Sequence, residues 1–197
     1  MPSFKTIQAP SESVYKELKS RFLSYAYPIQ SEEDVKPLVF NLKNKYFDAR
    51  HHCYAYRIGI GKDSILRTND DREPSHSAGE PILAAIDSKE LTDILIVVVR
   101  YFGGIKLGAA NLSKAYRQAA LNAINIANII TQTPQDNIDF TFDFAIMGQV
   151  NKFLKDNNFT KKNILFHNSN TIRITFDSDL KEQLLTKLNS IYGIKIL

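Results

Sequence analysis

The stretch Ile94-Leu95-Ile96-Val97-Val98-Val99-Arg100-Tyr101-Phe102-Gly103-Gly104-Ile105-Lys106-Leu107-Gly108 decides the reading of this chain. Asp93 precedes an apolar run of strand length that extends to Phe102, with Ile94–Val99 its uninterrupted core. The glycines at 103–108 make a turn, and Leu112, Ala115, Tyr116, Ala119, Ala123 and Ile126 then recur at helical spacing. A glycine-rich turn between a strand and a helix lets backbone amides approach a bound group closely. The helix start adds unpaired N–H donors and a dipole that favours an anion. Gly103 and Gly108 have the spacing of a phosphate loop, but Ala109-Ala110 stand where Lys-Ser/Thr would be, so Walker-type nucleotide hydrolysis is not expected. Lys106, Asn111 and Lys114 remain available to contact a phosphate. The plain alternative is a tight turn needed only for packing.

Charge reinforces the anion reading. Between Asp93 and Asp136 there is no acidic residue, whereas Arg100, Lys106, Lys114 and Arg117 give this interval a charge equal to the +4 of the whole molecule. Such a segment attracts phosphates, although a solvated helix face would look the same. The chain has one cysteine, Cys53, and no apolar run near the ~18 residues of a membrane span. Its first residues lack the layout of a signal peptide. The expectation is a soluble cytoplasmic protein with no internal disulfide and no membrane partner.

Working outward, Phe4–Ile7 and Arg21–Tyr27 read as strands. Ser31-Glu32-Glu33-Asp34 starts a helix carrying Val35, Leu38, Val39, Leu42 and Tyr46. From Arg50 to Ile60 the period becomes two, with His52, Tyr54, Tyr56, Ile58 and Ile60 on one side and His51, Cys53, Ala55 and Arg57 on the other. Residues 61–80 read as one long loop, Pro81 as the first residue of a helix through Ile86, and 131–136 as a linker. Beyond it, Ile138, Phe140, Phe142 and Phe144 alternate along a strand, and the order β-α-β-β-α-β follows. The fold class is α+β, with domains at 1–134 and 135–197, the second ferredoxin-like.

Two further clusters invite chemistry. His51, Cys53 and His76 would make an open zinc site only if the loop folds back, and no paired ligand spacing supports it; neither metal nor cofactor is expected. The loop Asp70, Asp71, Glu73, Ser75, His76, Ser77 and Gly79 could hold a ligand or an acid–base pair, or its acids could simply cap turns and the next helix while Arg72 pairs locally. Tyr54, Tyr56, Tyr101 and Phe102 could stack bases if exposed.

Three segments resemble the YigZ/IMPACT family: Asp48-Ala49-Arg50-His51-His52-Cys53-Tyr54-Ala55-Tyr56; Asp70-Asp71-Arg72-Glu73-Pro74 with Ser77-Ala78-Gly79-Glu80-Pro81; and Val97–Gly108 continued by Asn111-Leu112-Ser113-Lys114-Ala115-Tyr116. The resemblance covers roughly residues 15–125. It implies an N-terminal fold similar to the second domain of a small-subunit ribosomal protein. Eukaryotic relatives regulate translation through an extra N-terminal domain expected to be missing here, so kinase antagonism is not carried over. The family usually has glycine where Arg72 stands, threonine where Ser77 stands, and more glycine after Gly108.

Two functions follow as expectations. One is an RNA- or ribosome-associated protein linked to translation, binding through Arg50, His51, His52, Arg100, Tyr101, Gly103, Gly104, Lys106, Gly108, Asn111, Lys114 and Arg117, so that Lys106→Glu with Lys114→Glu abolishes binding. The other is an enzyme on a small phosphorylated or nucleotide-like substrate, using the glycine turn with Asp71 and His76 of the loop. A pure protein-partner adaptor is a third reading. No catalytic residue is assigned.

Overall fold

A computed structural model describes residues 3–197 and divides the chain into two compact units, Phe4–Gln132 and Thr133–Leu197. The first contains β1 (Phe4–Ile7), β2 (Ser11–Glu17), β3 (Ser20–Pro28), α1 (Val35–Lys45), β4 (His51–Ile58), β5 (Ile65–Asn69), α2 (Gly79–Asp87), β6 (Ile94–Tyr101), α3 (Ala109–Ile126) and β7 (Ile129–Gln132). Strands β1 and β7 pair with each other, and the other five form an antiparallel sheet in the order β2-β3-β6-β4-β5.

Strand β6 is central and buried from Ile94 to Arg100, which is why it reads as an unbroken apolar run. Ile94, Ile96 and Val98 face α2 and α3, together with Phe22, Ala26, Cys53 and Ala55. Leu95, Val97 and Val99 face α1, together with Tyr25, Tyr56 and Ile58. A sheet clad by helices on both sides leaves its middle strand no polar face. The alternation read along β4 matches these two sides.

Several boundaries differ from the sequence reading. Residues 61–80 contain an edge strand, β5, whose five residues pair with β4 while three of them stay exposed, so no alternation marks it. Strand β2 alternates in burial, but its half-buried positions, Ser11, Ser13, Tyr15 and Glu17, are mostly polar and give no apolar signal; it joins β3 through Leu18 and Lys19, both at positive φ. Helix α2 starts at Gly79 rather than Pro81. The linker shrinks to Thr133-Pro134, because Thr131 and Gln132 belong to β7, while Gln135 and Asp136 open the next strand. Ile126 and Phe144, read as core, are exposed.

The second unit holds β8 (Gln135–Phe142), α4 (Met147–Asp156), β9 (Ile164–Asn168), β10 (Thr171–Asp177), α5 (Lys181–Asn189) and β11 (Ile194–Ile196), with antiparallel sheet order β11-β8-β10-β9. Ile138, Phe140, Phe142, Ile172, Ile174 and Phe176 pack on Val150, Phe153, Leu184 and Leu188 of its helices. Among the described residues, no helix is long and apolar enough to cross a membrane.

Candidate anion-binding cleft

Pairing of β4 with β6 sets His51 opposite Arg100, so β4 begins where β6 ends. Helix α3 starts a few residues later, and the loop after β5 returns across the same end of the sheet. The result is a cleft of about 850 Å³. Asp48, Arg50 and His51 line it from β4 and its approach, Glu73 and Pro74 from the loop, and Arg100, Tyr101 and Phe102 from β6. Lys106, Leu107, Gly108, Ala109 and Leu112 complete the wall.

The loop is pinned by Asp70. One carboxylate oxygen accepts the N–H groups of Ala78 and Gly79 at 2.9 and 2.8 Å, and the other accepts that of His76 at 2.8 Å. Burial alone would raise the Asp70 pKa, but these N–H bonds outweigh it and hold the carboxyl below its ordinary range. A carboxylate eight residues upstream thus caps α2, which explains why local cap signals misplace the helix start. Gly79 is required there because a Cβ would lie 2.8 Å from the Asn69 backbone nitrogen. Ser77 is buried and donates to the Pro74 carbonyl at 2.6 Å, whereas Ser75 is exposed. Arg72 has no ion pair among the described residues; it sits at φ 71, a conformation suited to glycine.

Behind the cleft wall runs a buried polar chain. Arg100 Nη1 donates to Glu73 Oε1 at 2.6 Å, with both side chains less than a tenth exposed, and Arg100 Nε has no partner. The Tyr116 hydroxyl donates to the same Glu73 oxygen at 2.8 Å. The Cys53 thiol lies 3.3 Å from that hydroxyl and 3.0 Å from the Asp70 carbonyl. Burial pushes the Cys53 thiol and the Tyr116 phenol up, so both stay protonated and Cys53 is no nucleophile.

The adjacent histidines separate. His51 Nδ1 lies 3.0 Å from the Asp71 carbonyl, which can only accept, so Nδ1 carries the hydrogen. Its Nε2 lies 4.0 Å from Glu73 Oε1. His52 is buried on the other face, burial lowers its pKa, and its backbone N–H donates to Asp71 Oδ2 at 2.8 Å. Asp71 is therefore occupied away from the cleft. Tyr101 donates to Asp48 at 2.6 Å, and burial with this bond pushes its phenol up to about 12. Phe102 is 53% exposed, with the Arg100 guanidinium 5.7 Å from its ring centre.

The turn glycines have distinct duties. A Cβ on Gly103 would lie 2.1 Å from the Lys19 backbone, and the Gly103 N–H donates to Ser20 Oγ at 3.2 Å, so this glycine serves packing. Gly104 and Gly108 have φ of 87 and 75, with open space beside them. Asn111 turns its amide back to the Leu107 carbonyl at 3.2 Å.

Of the four cations in the acid-free segment, only Arg100 and Lys106 reach the cleft, and Arg100 is neutralised. Lys114 and Arg117 border a separate depression of about 330 Å³ with His76, Glu80, Pro81, Ala84 and Ser113. His76 is bonded there to Glu80 at 2.6 Å. Arg50 and Lys106 are exposed and have no ion pair among the described residues. Sequence reasoning missed Tyr116, read only as core; a buried phenol needs a hydrogen-bond partner, and that was the available signal. It also missed Asp48, Pro74, Leu107 and Leu112. No three His, Cys, Asp or Glu side chains gather as metal ligands among the described residues.

The Impact N-terminal domain family model matches residues 18–124. A Bacillus subtilis IMPACT family member, YvyE, is 32% identical over 162 residues, spanning 82% of this chain and 74% of its own. A Thermus thermophilus IMPACT family member is 39% identical, over 70% of this chain and 73% of its own. YigZ of Escherichia coli is 37% identical, over 68% and 66%. The crystal structure of a hypothetical protein superposes with a TM-score of 0.76 at 28% identity, covering 100% of this chain and 97% of that one.

Proposed function

The chain belongs to the IMPACT family, and on that premise we propose that it is a cytoplasmic RNA-binding protein acting on translation, with ribosomal RNA or a ribosomal particle as partner. The link to translation comes from the family resemblance, in which eukaryotic relatives regulate that process. One observation carries the RNA reading. Two exposed, unpaired cations, Arg50 and Lys106, share a cleft with the start of an 18-residue helix and with the half-exposed ring of Phe102. Cations and helix-end amides suit phosphates, and the free face of an aromatic ring suits an unstacked base. Single-stranded RNA presents both. We assign the second unit to the ferredoxin-like class on its sheet order, and the first to the ribosomal-protein-like class on the resemblance alone.

The test is direct. Filter binding of a single-stranded RNA oligonucleotide to the full chain should weaken on the order of 100-fold in Arg50→Glu/Lys106→Glu, because two attractive phosphate contacts become repulsive. Unchanged affinity would remove the cleft from the RNA path. A second reading, an enzyme on a small phosphorylated or nucleotide-like substrate, is favoured by concavity: the cleft volume falls in the ~300–1,000 Å³ range of small-ligand sites. In that reading its acid–base groups are His51 and Glu73, since Asp71 and His76 do not line the cleft. A mononucleotide that competes as well as the oligonucleotide would favour it.

A further inference from the structure

The cleft holds one side chain that phosphate binding leaves without a task. His51 lines it with a fixed ring orientation: the Asp71 carbonyl accepts a hydrogen bond from Nδ1 at 3.0 Å, which leaves Nε2 as the nitrogen that can act on a bound group. The Asp71 backbone that orients the ring is itself held. Its N–H donates to the Asn69 side chain at 2.7 Å, and its carboxylate takes the His52 N–H at 2.8 Å. On the Nε2 side, 4.0 Å away, stands the Glu73 carboxylate, fixed by Arg100 and Tyr116. A proton taken up at Nε2 therefore meets a negative group already in place. An oriented base, a carboxylate beside it, and cations with helix-end amides across the cleft are the parts required for base-catalysed chemistry at a phosphate.

We propose that the cleft cleaves RNA, with His51 as the general base. The inference rests on the RNA-binding reading above. His51 Nε2 removes the proton from a ribose 2′-hydroxyl, and the 2′ oxygen attacks the adjacent phosphorus. The new 2′-O–P bond forms as the P–O5′ bond breaks. Solvent water at the mouth of the cleft protonates the leaving 5′ oxygen, and the proton on His51 neutralises the hydroxide left behind. The products are one strand ending in a 2′,3′-cyclic phosphate and one beginning with a 5′-hydroxyl. No metal or co-reactant enters the balance. Lys106, Arg50 and the α3 amides stabilise the charge that gathers on the phosphate oxygens. The substrate class is single-stranded RNA, because the step needs both a 2′-hydroxyl and a backbone free to bring it in line with the scissile bond.

The experiment uses the full chain, the His51→Ala chain purified in parallel, a labelled single-stranded RNA, and the same strand with 2′-deoxyribose throughout. Binding is read by filter retention, cleavage by gel, and the new ends by mass. The expected result is that the natural chain binds both strands but cleaves only the RNA, leaving a cyclic phosphate. At RNA concentrations that saturate each chain, H51A should cleave on the order of 100-fold more slowly, the low end of what a positioned base contributes. Binding of RNA with cleavage no faster than that of H51A overturns the catalytic inference and leaves the binding reading standing. Failure to bind either strand overturns both. The deoxy strand keeps the test informative even if H51A folds poorly, since it needs no variant.

Discussion

Two basic depressions on the first unit invite comparison. In the cleft, Arg50 and Lys106 flank the pair Arg100–Glu73; beside α2 and α3, Lys114 and Arg117 flank the pair His76–Glu80. The charge types match, but the surroundings do not. Arg100 and Glu73 are 7% and 5% exposed, whereas His76 and Glu80 are 74% and 59% exposed. One pair is a structural anchor that fixes a concave wall, and the other is a solvated contact on an open face. Charge along a chain therefore says where cations are abundant, and burial decides which of them a ligand meets in a fixed arrangement.

The two depressions should differ most at their carboxylates. Glu73→Ala leaves Arg100 buried without its counter-charge and removes the acceptor of the Tyr116 hydroxyl, so it should cost about 3–5 kcal/mol in denaturant unfolding. Glu80→Ala removes a screened surface partner and should cost less than about 1 kcal/mol. Equal costs would mean that the cleft wall is no more anchored than the open face. A smaller effect sharpens the picture at the glycine turn. Gly103→Ala drives a methyl group into the backbone of Lys19 and Ser20, and a thermal melt should register a loss of about 1–3 kcal/mol. Gly104→Ala meets open space and should cost about 1 kcal/mol, for its positive φ alone.

The same contrast explains what could be read from the chain beforehand. Strand β6, the glycine turn and α3 are legible because each is a local pattern: an apolar run, a turn signal, a helical stripe. The alternation of Ile138, Phe140 and Phe142 is legible for the same reason. Strands β2 and β5 lie at the sheet edges, where half-buried positions tolerate polar side chains and no apolar alternation shows in the sequence. The cap of α2 comes from Asp70, eight and nine residues upstream of the amides it serves, beyond any local signal. Glu73 finds Arg100 across 27 positions and Tyr116 across 43, so only the fold discloses the anchor. Lys106 and Lys114, eight residues apart on one acid-free segment, looked equivalent until α3 set Lys114 beside α2 instead of in the cleft. Arg72 is the converse case. The resemblance implies glycine at this position, and the backbone of Arg72 lies in the left-handed region that glycine favours.

The salt dependence of RNA affinity separates the cleft from the α2–α3 face. With Arg50→Gln/Lys106→Gln, the slope of log affinity against log salt concentration should flatten by about 1.4, near 0.7 for each single-strand phosphate that is no longer neutralised. Lys114→Gln/Arg117→Gln should leave it close to that of the unaltered chain. A cleft variant that keeps the full slope, with an α2–α3 variant that loses it, would place the RNA on the open face and not in the cleft.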